Sequence, residues 1–319
     1  MIISSKDNGI VKEIRKLKEK KYRKDKFIVE GIKMLEEAIN ENASIDLIII
    51  REDINLELDI SKFNSIVVTE KVFNTLTDVV SPQGVLAIIN KKNNKGVAKE
   101  TNMNIDKTAD YILALDGIQD PGNLGTIIRT ADSANLKQII VSKNTVDAYS
   151  PKVIRSTMGA IYRVNIIEVE NLGETLKDLQ KDGFKVVVTS LDTNNSIYDI
   201  SYNKSVVVIG NEANGVSKEV QELANEKVKI PMLGKTESLN AAVATGIMIY
   251  EYVRRNFQLG TVLKWKNSIW GLNLNKNNII FQLGTVLKWK NSIWGLTLNK
   301  NNIFFHFRTV PNWKKYDRR

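Results

Sequence analysis

The stretch GKTESLNAAVATGIMIYE, from Gly234 to Glu251, sets the hydroxyl of Ser238 and the carboxamide of Asn240 directly before a helix that begins with small residues. Side chains of these two types can orient a ligand through hydrogen bonds, and small residues behind them allow another backbone to pack closely. A simpler alternative is that Ser238 only caps the helix, by accepting a hydrogen bond from the amide of Asn240 or Ala241.

Two further loops follow apolar, strand-like runs in the same way. DGIQDPGNLG, which contains Asn123, follows YILAL, and GNEANGVS, which contains Asn211 and Glu212, follows SVVVI; the opening loop, PMLGKTESLN, follows VKI. Ligands of open α/β sheets bind beyond the carboxyl ends of the strands. The sequence therefore predicts one site at which the three loops converge.

The loop GNEANGVS brackets its polar residues with Gly210 and Gly215. Glycine allows the backbone to approach a ligand closely or to turn with a positive φ. The alternative is an ordinary strand-to-helix turn capped by Ser217.

Arg129 lies on the predicted helix that follows Asn123, away from its apolar face, which consists of Leu124, Ile127, Ile128 and Ala131. Helical side chains lean toward the N-terminus, so we expect the guanidinium to reach back over Gly125 toward the loop. There it could bind a phosphate or polarise a hydroxyl. The alternative is a surface Arg129 paired with Asp132 at i,i+3.

The residue inventory limits the chemistry. The chain contains no Cys, and its one His, His306, lies near the C-terminus. We therefore expect no metal, no thiolate nucleophile and no Ser-His-Asp triad in the main body. Neither G-x-G nor G-x-x-x-x-G-K-[ST] occurs, so dinucleotide, Gly-rich methyltransferase and P-loop sites lack support.

The net charge of +10 comes from the C-terminal end of the chain. Residues 256–319 carry eleven Lys/Arg, one acid and all five Trp, whereas residues 1–255 carry 35 charges of each sign. The charge therefore says little about the main body. No signal-peptide core and no membrane-length apolar run is present, so we expect a cytoplasmic protein without membrane contacts.

Residues 1–90 read as a small α/β domain. A basic helix, a strand at Phe27–Glu30 and a helix with an apolar face of Ile32, Leu35 and Ile39 precede the strand-like runs IDLIII, NSIVVTE and GVLAIIN. The run from Lys12 to Lys26 holds nine basic and three acidic residues. It is either a solvated helix face or a phosphate contact.

The polar stretch 91–110 reads as a linker. In 111–255, strands and helices alternate: YILAL, a helix after Asn123, QIIVS, a helix from Pro151, YRVNII, LGETLKDLQKDG, FKVVVTSL, SVVVIG, a helix from Ser217, VKI and a helix from Asn240. Continuous Val/Ile runs between amphipathic helices predict a parallel sheet covered on both faces.

The tail, 256–319, contains a near-exact duplication. Residues 257–280 recur as 281–304 with differences only at Asn273/Thr297 and Ile280/Phe304. Two near-identical copies favour an appended segment with no selected role over a stacking repeat. The alternative is a basic, aromatic arm that contacts RNA or a membrane surface.

The segments NLGTIIRTADS, VVVIGNEANGVS and IPMLGKTESLNAAVATGIMIYE, in this order and spacing, resemble the three motifs of the SpoU/TrmH family of RNA 2′-O-ribose methyltransferases in the SPOUT superfamily. The segments RKDKFIVEGIKMLEEAI and SPQGVLAII are similar to that family's substrate-binding domain. The resemblance covers residues 1–255 and implies an α/β fold: a C-terminal trefoil-knot domain with a parallel sheet, preceded by a small α/β RNA-binding domain.

The resemblance also implies S-adenosylmethionine as cofactor, a homodimer and a set of site residues. Gly210, Ile230 and Leu239 would hold the adenosine part largely through backbone groups, with Thr189 and Asn211 nearby. The implied catalytic cluster is Asn123, Arg129, Glu212, Ser238 and Asn240.

The implied reaction is methyl transfer to a ribose 2′-hydroxyl, with large-subunit (23S) rRNA as the expected substrate. The alternatives are tRNA methylation, or a noncatalytic RNA-binding or ribosome-assembly protein. We hypothesise that Arg129 polarises the hydroxyl, as a base with a lowered pKa or by charge stabilisation, while Asn123, Glu212 and Ser238 fix its geometry.

Overall fold

The computed structural model describes residues 2–91 and 105–265, and the backbone of three strands between residues 281 and 308. Met1–Phe257 form one compact unit and Gln258–Arg319 a second. Within the described residues, no helix is both long enough and apolar enough to span a bilayer.

The N-terminal part of the first unit is a five-stranded sheet with helices on both faces. Its elements are β1 (Ile2–Ile3), α1 (Gly9–Lys16), β2 (Lys26–Glu30), α2 (Ile32–Asn40), β3 (Ile45–Arg51), β4 (Ser65–Val68), α3 (Glu70–Leu76) and β5 (Val85–Asn90). The strand order is β1-β4-β3-β5-β2. The predicted strands are confirmed, because their β-branched residues alternate between two buried faces.

The predicted apolar face of α2 was partly wrong. Leu35 is buried and Ile39 packs partly buried against the core, as expected, but Met34 and Ala38 are also buried and Ile32 is 36% exposed. The helix begins immediately after Gly31, so Ile32 occupies its first turn at the rim of the core. The spacing of the apolar residues alone did not define which side of α2 faces the core.

The second sheet carries the predicted site. Its elements are β6 (Tyr111–Asp116), α4 (Pro121–Ser133), β7 (Gln138–Ser142), α5 (Pro151–Thr157), β8 (Asn165–Val169), α6 (Leu172–Lys181), β9 (Lys185–Thr189), β10 (Ser205–Gly210), α7 (Lys218–Glu222), β11 (Glu226–Val228) and α8 (Ala241–Trp265). The six strands run in the order β11-β9-β10-β6-β7-β8, and every neighbouring pair is parallel. The threading of a knot stays a prediction.

Helices cover both faces of this sheet, as predicted. Leu176 of α6 and Val220 of α7 pack on one face, while Ile127 of α4, Val153 of α5 and Met248 of α8 pack on the other. All strand residues of β10 are buried. This two-sided burial explains its uninterrupted Val/Ile run.

Three predicted boundaries were wrong. The run YRVNII is not one strand, because Ala160–Tyr162 form a 3₁₀ turn and β8 begins only at Asn165. The strand predicted at VKI spans Glu226–Val228 instead. Helix α4 begins at Pro121, before Asn123, because Asp120 caps it and proline suits the first helical position.

The two sheets share one hydrophobic core, in which Phe27 and Met34 join the residues around Tyr111. At the same boundary, Arg23 donates from Nε (2.8 Å) and Nη2 (2.6 Å) to Asp147 Oδ2, and both side chains are almost completely buried. Residues 92–104 of the predicted linker lie outside the described residues. The predicted domain limits, 1–90 and 111–255, stay a prediction.

The basic run from Lys12 to Lys26 is largely neutralised by acids. Seven of its nine cations form ion pairs. Several partners lie outside the run, including Asp78 for Lys18 and Glu168 for Lys20. This pairing favours the solvated-face interpretation over a phosphate contact.

The second unit contains a three-stranded antiparallel sheet of β12 (Phe281–Leu283), β13 (Ile293–Asn299) and β14 (Asn302–Arg308). The duplicated residues FQL adopt two backbone conformations. FQL is helical at 257–259, as part of α8, and extended at 281–283. The absence of a selected role for the tail stays a prediction.

Candidate active site

The three loops meet through a chain of side-chain hydrogen bonds. Asn240 donates from Nδ2 to Asn123 Oδ1 at 2.9 Å, and Asn123 donates from Nδ2 to Glu212 Oε1 at 2.9 Å. The parallel pairing of Gly210 with Asp116 brings the ends of β10 and β6 level, so the loops that follow them lie side by side. The predicted convergence of the loops is therefore what the structure shows.

The carboxylate of Glu212 also accepts hydrogen bonds from the first loop. The backbone N–H of Gln119 donates to Oε2 at 3.1 Å, and that of Asp120 donates to Oε1 at 3.4 Å. Partial burial works to raise the pKa of Glu212, but the hydrogen bonds from Asn123 and from these amides outweigh it and lower the pKa below its ordinary value. Glu212 is therefore an acceptor that stays ionised.

Asn211 shapes the second loop. Its Nδ2 donates to the carbonyl of Gly117 at 2.7 Å, and its Oδ1 accepts from the amides of Ala213 (2.9 Å) and Asn214 (3.0 Å). Both ends of its carboxamide are thus engaged by the protein. Asn211 therefore holds this loop in place.

Gly210 is required by close backbone packing. A Cβ at this position would lie 2.1 Å from the carbonyl carbon of Gly215 and 2.1 Å from the amide nitrogen of Val216. The loop can close over the end of β10 only because Gly210 has no side chain.

Asn240 caps α8, and the alternative assignment of the cap to Ser238 was wrong. Asn240 Oδ1 accepts from the amides of Ala242 (2.9 Å) and Val243 (3.3 Å). Ser238 is exposed, and within the described residues it forms no hydrogen bond. Its hydroxyl is therefore available to a ligand, next to a cap that also bonds Asn123.

Arg129 is exposed on α4 and is not part of the hydrogen-bonded chain. The open space that was expected over Gly125 for the Arg129 side chain is absent, because a Cβ at Gly125 would lie 2.3 Å from Ser156 Cβ. The missing side chain of Gly125 instead allows α5 to pack closely against α4. The alternative pairing with Asp132 is also wrong, since Asp132 Oδ2 accepts from Arg163 Nε at 2.9 Å. Across the described residues, Arg129 has no ion-pair partner.

The residues expected to hold the cofactor follow adjacent strands. Thr189 ends β9, Gly210 ends β10 and Ile230 follows β11 by two residues; Leu239 is half-buried just before α8. Over residues 231–239, the described part of the chain shows no backbone hydrogen bond. Peptide groups beside partly apolar side chains match an adenosine, which offers an apolar ring with polar edges.

Sequence reasoning missed several residues that build the site. Gln119 donates from Nε2 to the carbonyls of Asn144 (2.5 Å) and Gly117 (3.3 Å), and Asp116 Oδ2 accepts from the amide of Ser217 at 2.8 Å. Asp120 caps α4 by accepting from the amide of Asn123 at 2.8 Å. Its position before Pro121 was a usable capping signal; no local signal marked Gln119.

Comparison with known proteins assigns this chain to a family. Residues 110–250 match the SpoU rRNA Methylase family, and residues 8–87 match the MRM3-like substrate binding domain. The 23S rRNA (guanosine(2553)-2′-O)-methyltransferase RlmP of Bacillus subtilis is 31% identical over 252 residues, which cover 78% of this chain and 97% of that protein. The chain belongs to the SpoU methylase family. The prediction of an RNA methyltransferase is confirmed, and S-adenosylmethionine is the cofactor of this family.

Solved structures of RNA methyltransferases share the fold. The crystal structure of an AdoMet-bound rRNA methyltransferase from Sinorhizobium meliloti has a TM-score of 0.70 and 31% identity, covering 80% of this chain and 98% of that one. An RNA 2′-O ribose methyltransferase structure has a TM-score of 0.65 and 26% identity, covering 81% and 100%. The predicted α/β fold with a parallel sheet is confirmed.

Proposed function

We propose that this SpoU-family protein methylates a ribose 2′-hydroxyl of large-subunit rRNA, with S-adenosylmethionine as methyl donor. The observation that carries the proposal is the hydrogen-bonded chain Asn240–Asn123–Glu212, which unites three loops at the carboxyl edge of the parallel sheet. The B. subtilis relative, which acts on 23S rRNA, and the substrate-binding domain match support this choice of RNA.

The cofactor would lie against the loops that follow β9, β10 and β11, held by Gly210, Ile230 and Leu239, with Thr189 and Asn211 nearby. When bound there, S-adenosylmethionine supplies an electrophilic methyl group. Two features support this placement: the peptide groups of residues 231–239 form no backbone hydrogen bond within the described part of the chain, and Ile230 and Leu239 are half-buried.

The nucleophile would be the ribose hydroxyl: its oxygen would be oriented by the protein and take the methyl group, S-adenosylhomocysteine would leave, and the hydroxyl proton would pass to solvent water. Arg129 would stabilise the negative charge that develops on this oxygen; because a guanidinium offers N–H donors and no acceptor, charge stabilisation is favoured over general-base action. Its exposure and lack of a partner among the described residues support this role.

Ser238 and the Asn123–Glu212 pair would fix the position of the ribose. The Ser238 hydroxyl is exposed, and Glu212 holds Asn123 in one rotamer through the 2.9 Å hydrogen bond. Asn240 would align the start of α8 with this pair. No general base from Cys or His is needed.

We further propose that the protein is a homodimer, as its family resemblance implies. Val243 and Tyr250 of α8 are 53% and 48% exposed, and the apolar surface they offer would be covered by a second copy. Sedimentation equilibrium tests this, and a monomer across the micromolar range would contradict it.

The reaction is tested by incubating the protein with labelled S-adenosylmethionine and total RNA from cells that lack it. Nuclease digestion and mass spectrometry then map the label. One 2′-O-methylated nucleotide in 23S rRNA is the expected result. Label in tRNA would contradict the proposal that 23S rRNA is the substrate. An absence of label despite cofactor binding would favour a noncatalytic RNA-binding protein.

The role of the tail is tested separately, by deleting residues 257–319. We propose that the tail is an appended segment, so RNA affinity and its salt dependence should be unchanged. A loss of affinity and a shallower salt dependence would show that the tail contacts phosphates.

A further inference from the structure

Arg163 joins the substrate-binding domain to the helix that carries Arg129. It lies between the 3₁₀ turn at Ala160–Tyr162 and β8. Its Nη1 donates to Glu37 Oε2 at 2.7 Å and to Glu41 Oε1 at 3.2 Å, both on α2, and its Nε donates to Asp132 Oδ2 at 2.9 Å, on α4. One guanidinium thus holds three carboxylates.

Asp132 is also placed where it could form an ion pair with Arg129. The two residues are three apart on α4, a spacing at which opposite charges pair on a helix surface. In the described residues Arg129 forms no ion pair, whereas Asp132 is engaged by Arg163. Partial burial opposes the charge of Arg163, but the three carboxylates outweigh this and raise its pKa above the ordinary value. Arg163 therefore stays charged and competes for Asp132 at any physiological pH.

We propose that Arg163 is a positioning residue that keeps Asp132 away from Arg129 and so leaves Arg129 free for the ribose oxygen. This inference rests on the catalytic role proposed for Arg129. Glu37 and Glu41 contact the same guanidinium from α2, so Arg163 also joins the substrate-binding domain to α4.

The test uses four full-length variants: Arg163→Met, Asp132→Asn, their combination, and Glu37→Gln as a control that removes one contact to α2 without releasing Asp132. An exposed i,i+3 pair is at most a few-fold more stable than the separated side chains, so Arg163→Met should lower kcat roughly two- to fourfold. The combined variant should recover the kcat of Asp132→Asn, and Glu37→Gln should match the unaltered protein.

The recovery separates positioning from a structural role. If Arg163 only joined the two domains, Asp132→Asn would not restore activity to Arg163→Met, and equal defects in the single and combined variants would overturn the proposal. A fully active Arg163→Met would overturn it as well.

A second readout does not depend on catalysis. A crystal structure of Arg163→Met should show an ion pair between Arg129 and Asp132, because Arg129 has replaced Arg163 as the partner of this carboxylate. An Arg129 side chain that stays apart from Asp132 in this variant would overturn the inference. If instead the pair forms while Arg129→Ala is fully active, the positioning inference holds and the catalytic role of Arg129 fails.

Discussion

Asn123 and Glu212, 89 residues apart in the chain, are joined by a 2.9 Å hydrogen bond from the amide nitrogen of one to the carboxylate of the other. Asn123 also accepts from Asn240, 117 residues away. A single carboxamide therefore links the loops after β6 and β10 with the start of α8. Loss of this side chain should disturb all three at once.

We expect Asn123→Ala to lower kcat for methyl transfer by roughly 100-fold, because misplacement of catalytic groups by about 1 Å has costs of this size. Cofactor affinity, measured by calorimetry, should change little. Asn214→Ala is the control, since the Asn214 side chain is exposed in the same loop and outside the hydrogen-bonded chain. Equal activities of the two variants would contradict the role of Asn123.

Arg129→Ala should abolish measurable methyl transfer while leaving S-adenosylmethionine binding largely intact, because the residue is proposed to act on the ribose oxygen. Single-turnover assays with saturating RNA would separate chemistry from RNA binding. Lys177→Ala is a matched control, since Lys177 is an exposed cation on α6, which covers the opposite face of the sheet from α4. A fully active Arg129→Ala variant would contradict the proposed mechanism.

The hydrogen bonds to Glu212 predict a pH dependence. They lower its pKa below the ordinary value of 4.5. Their contribution to the stability of the folded protein is therefore complete above that pH and is lost as the pH falls through the lowered pKa. A carboxyl-carbon NMR titration should find the pKa of Glu212 below 4.5, and Asn123→Ala should raise it. An unchanged pKa in the variant would mean that Asn123 does not stabilise the carboxylate.

The buried pair of Arg23 and Asp147 should be important for stability. Removing one partner of a buried ion pair costs about 3–5 kcal/mol, because the other charge is left without compensation. Arg23→Ala should lower the free energy of urea unfolding by about that amount. Lys20→Ala, which removes the exposed pair with Glu168, should cost less than about 1 kcal/mol. Similar effects of the two variants would contradict this difference in burial.

Two buried tyrosines should respond oppositely to loss of their hydroxyl. The Tyr111 hydroxyl is buried and has no hydrogen-bond partner within the described residues, whereas that of Tyr202 donates to the carbonyl of Ile197 at 2.7 Å. Tyr111→Phe should leave stability unchanged or raise it by up to about 1 kcal/mol. Tyr202→Phe should lower it by about 1 kcal/mol or more. Thermal unfolding measures the stability of both variants. A marked destabilisation by Tyr111→Phe would contradict the absence of a hydrogen-bond partner for its hydroxyl.

The amino-acid sequence by itself determined the elements that depend on local composition. The Val/Ile run of β10 predicts a strand buried on both faces, and α4 buries the apolar stripe of Leu124, Ile127 and Ile128 as its spacing requires. The order of three motifs was enough to indicate the family. These features could be predicted because hydrophobic burial acts on each segment through its own pattern of side chains.

Only the tertiary structure decided which polar groups are paired and which are free. The sequence left Ser238 as a possible cap of α8 and Asp132 as a possible partner of Arg129, whereas in the folded protein Asn240 caps α8 and Asp132 pairs with Arg163. The three letters FQL likewise form helix at 257–259 and strand at 281–283. The physical reason is that hydrogen bonds and ion pairs depend on groups distant in the chain, whose approach is set by the packing of the whole fold.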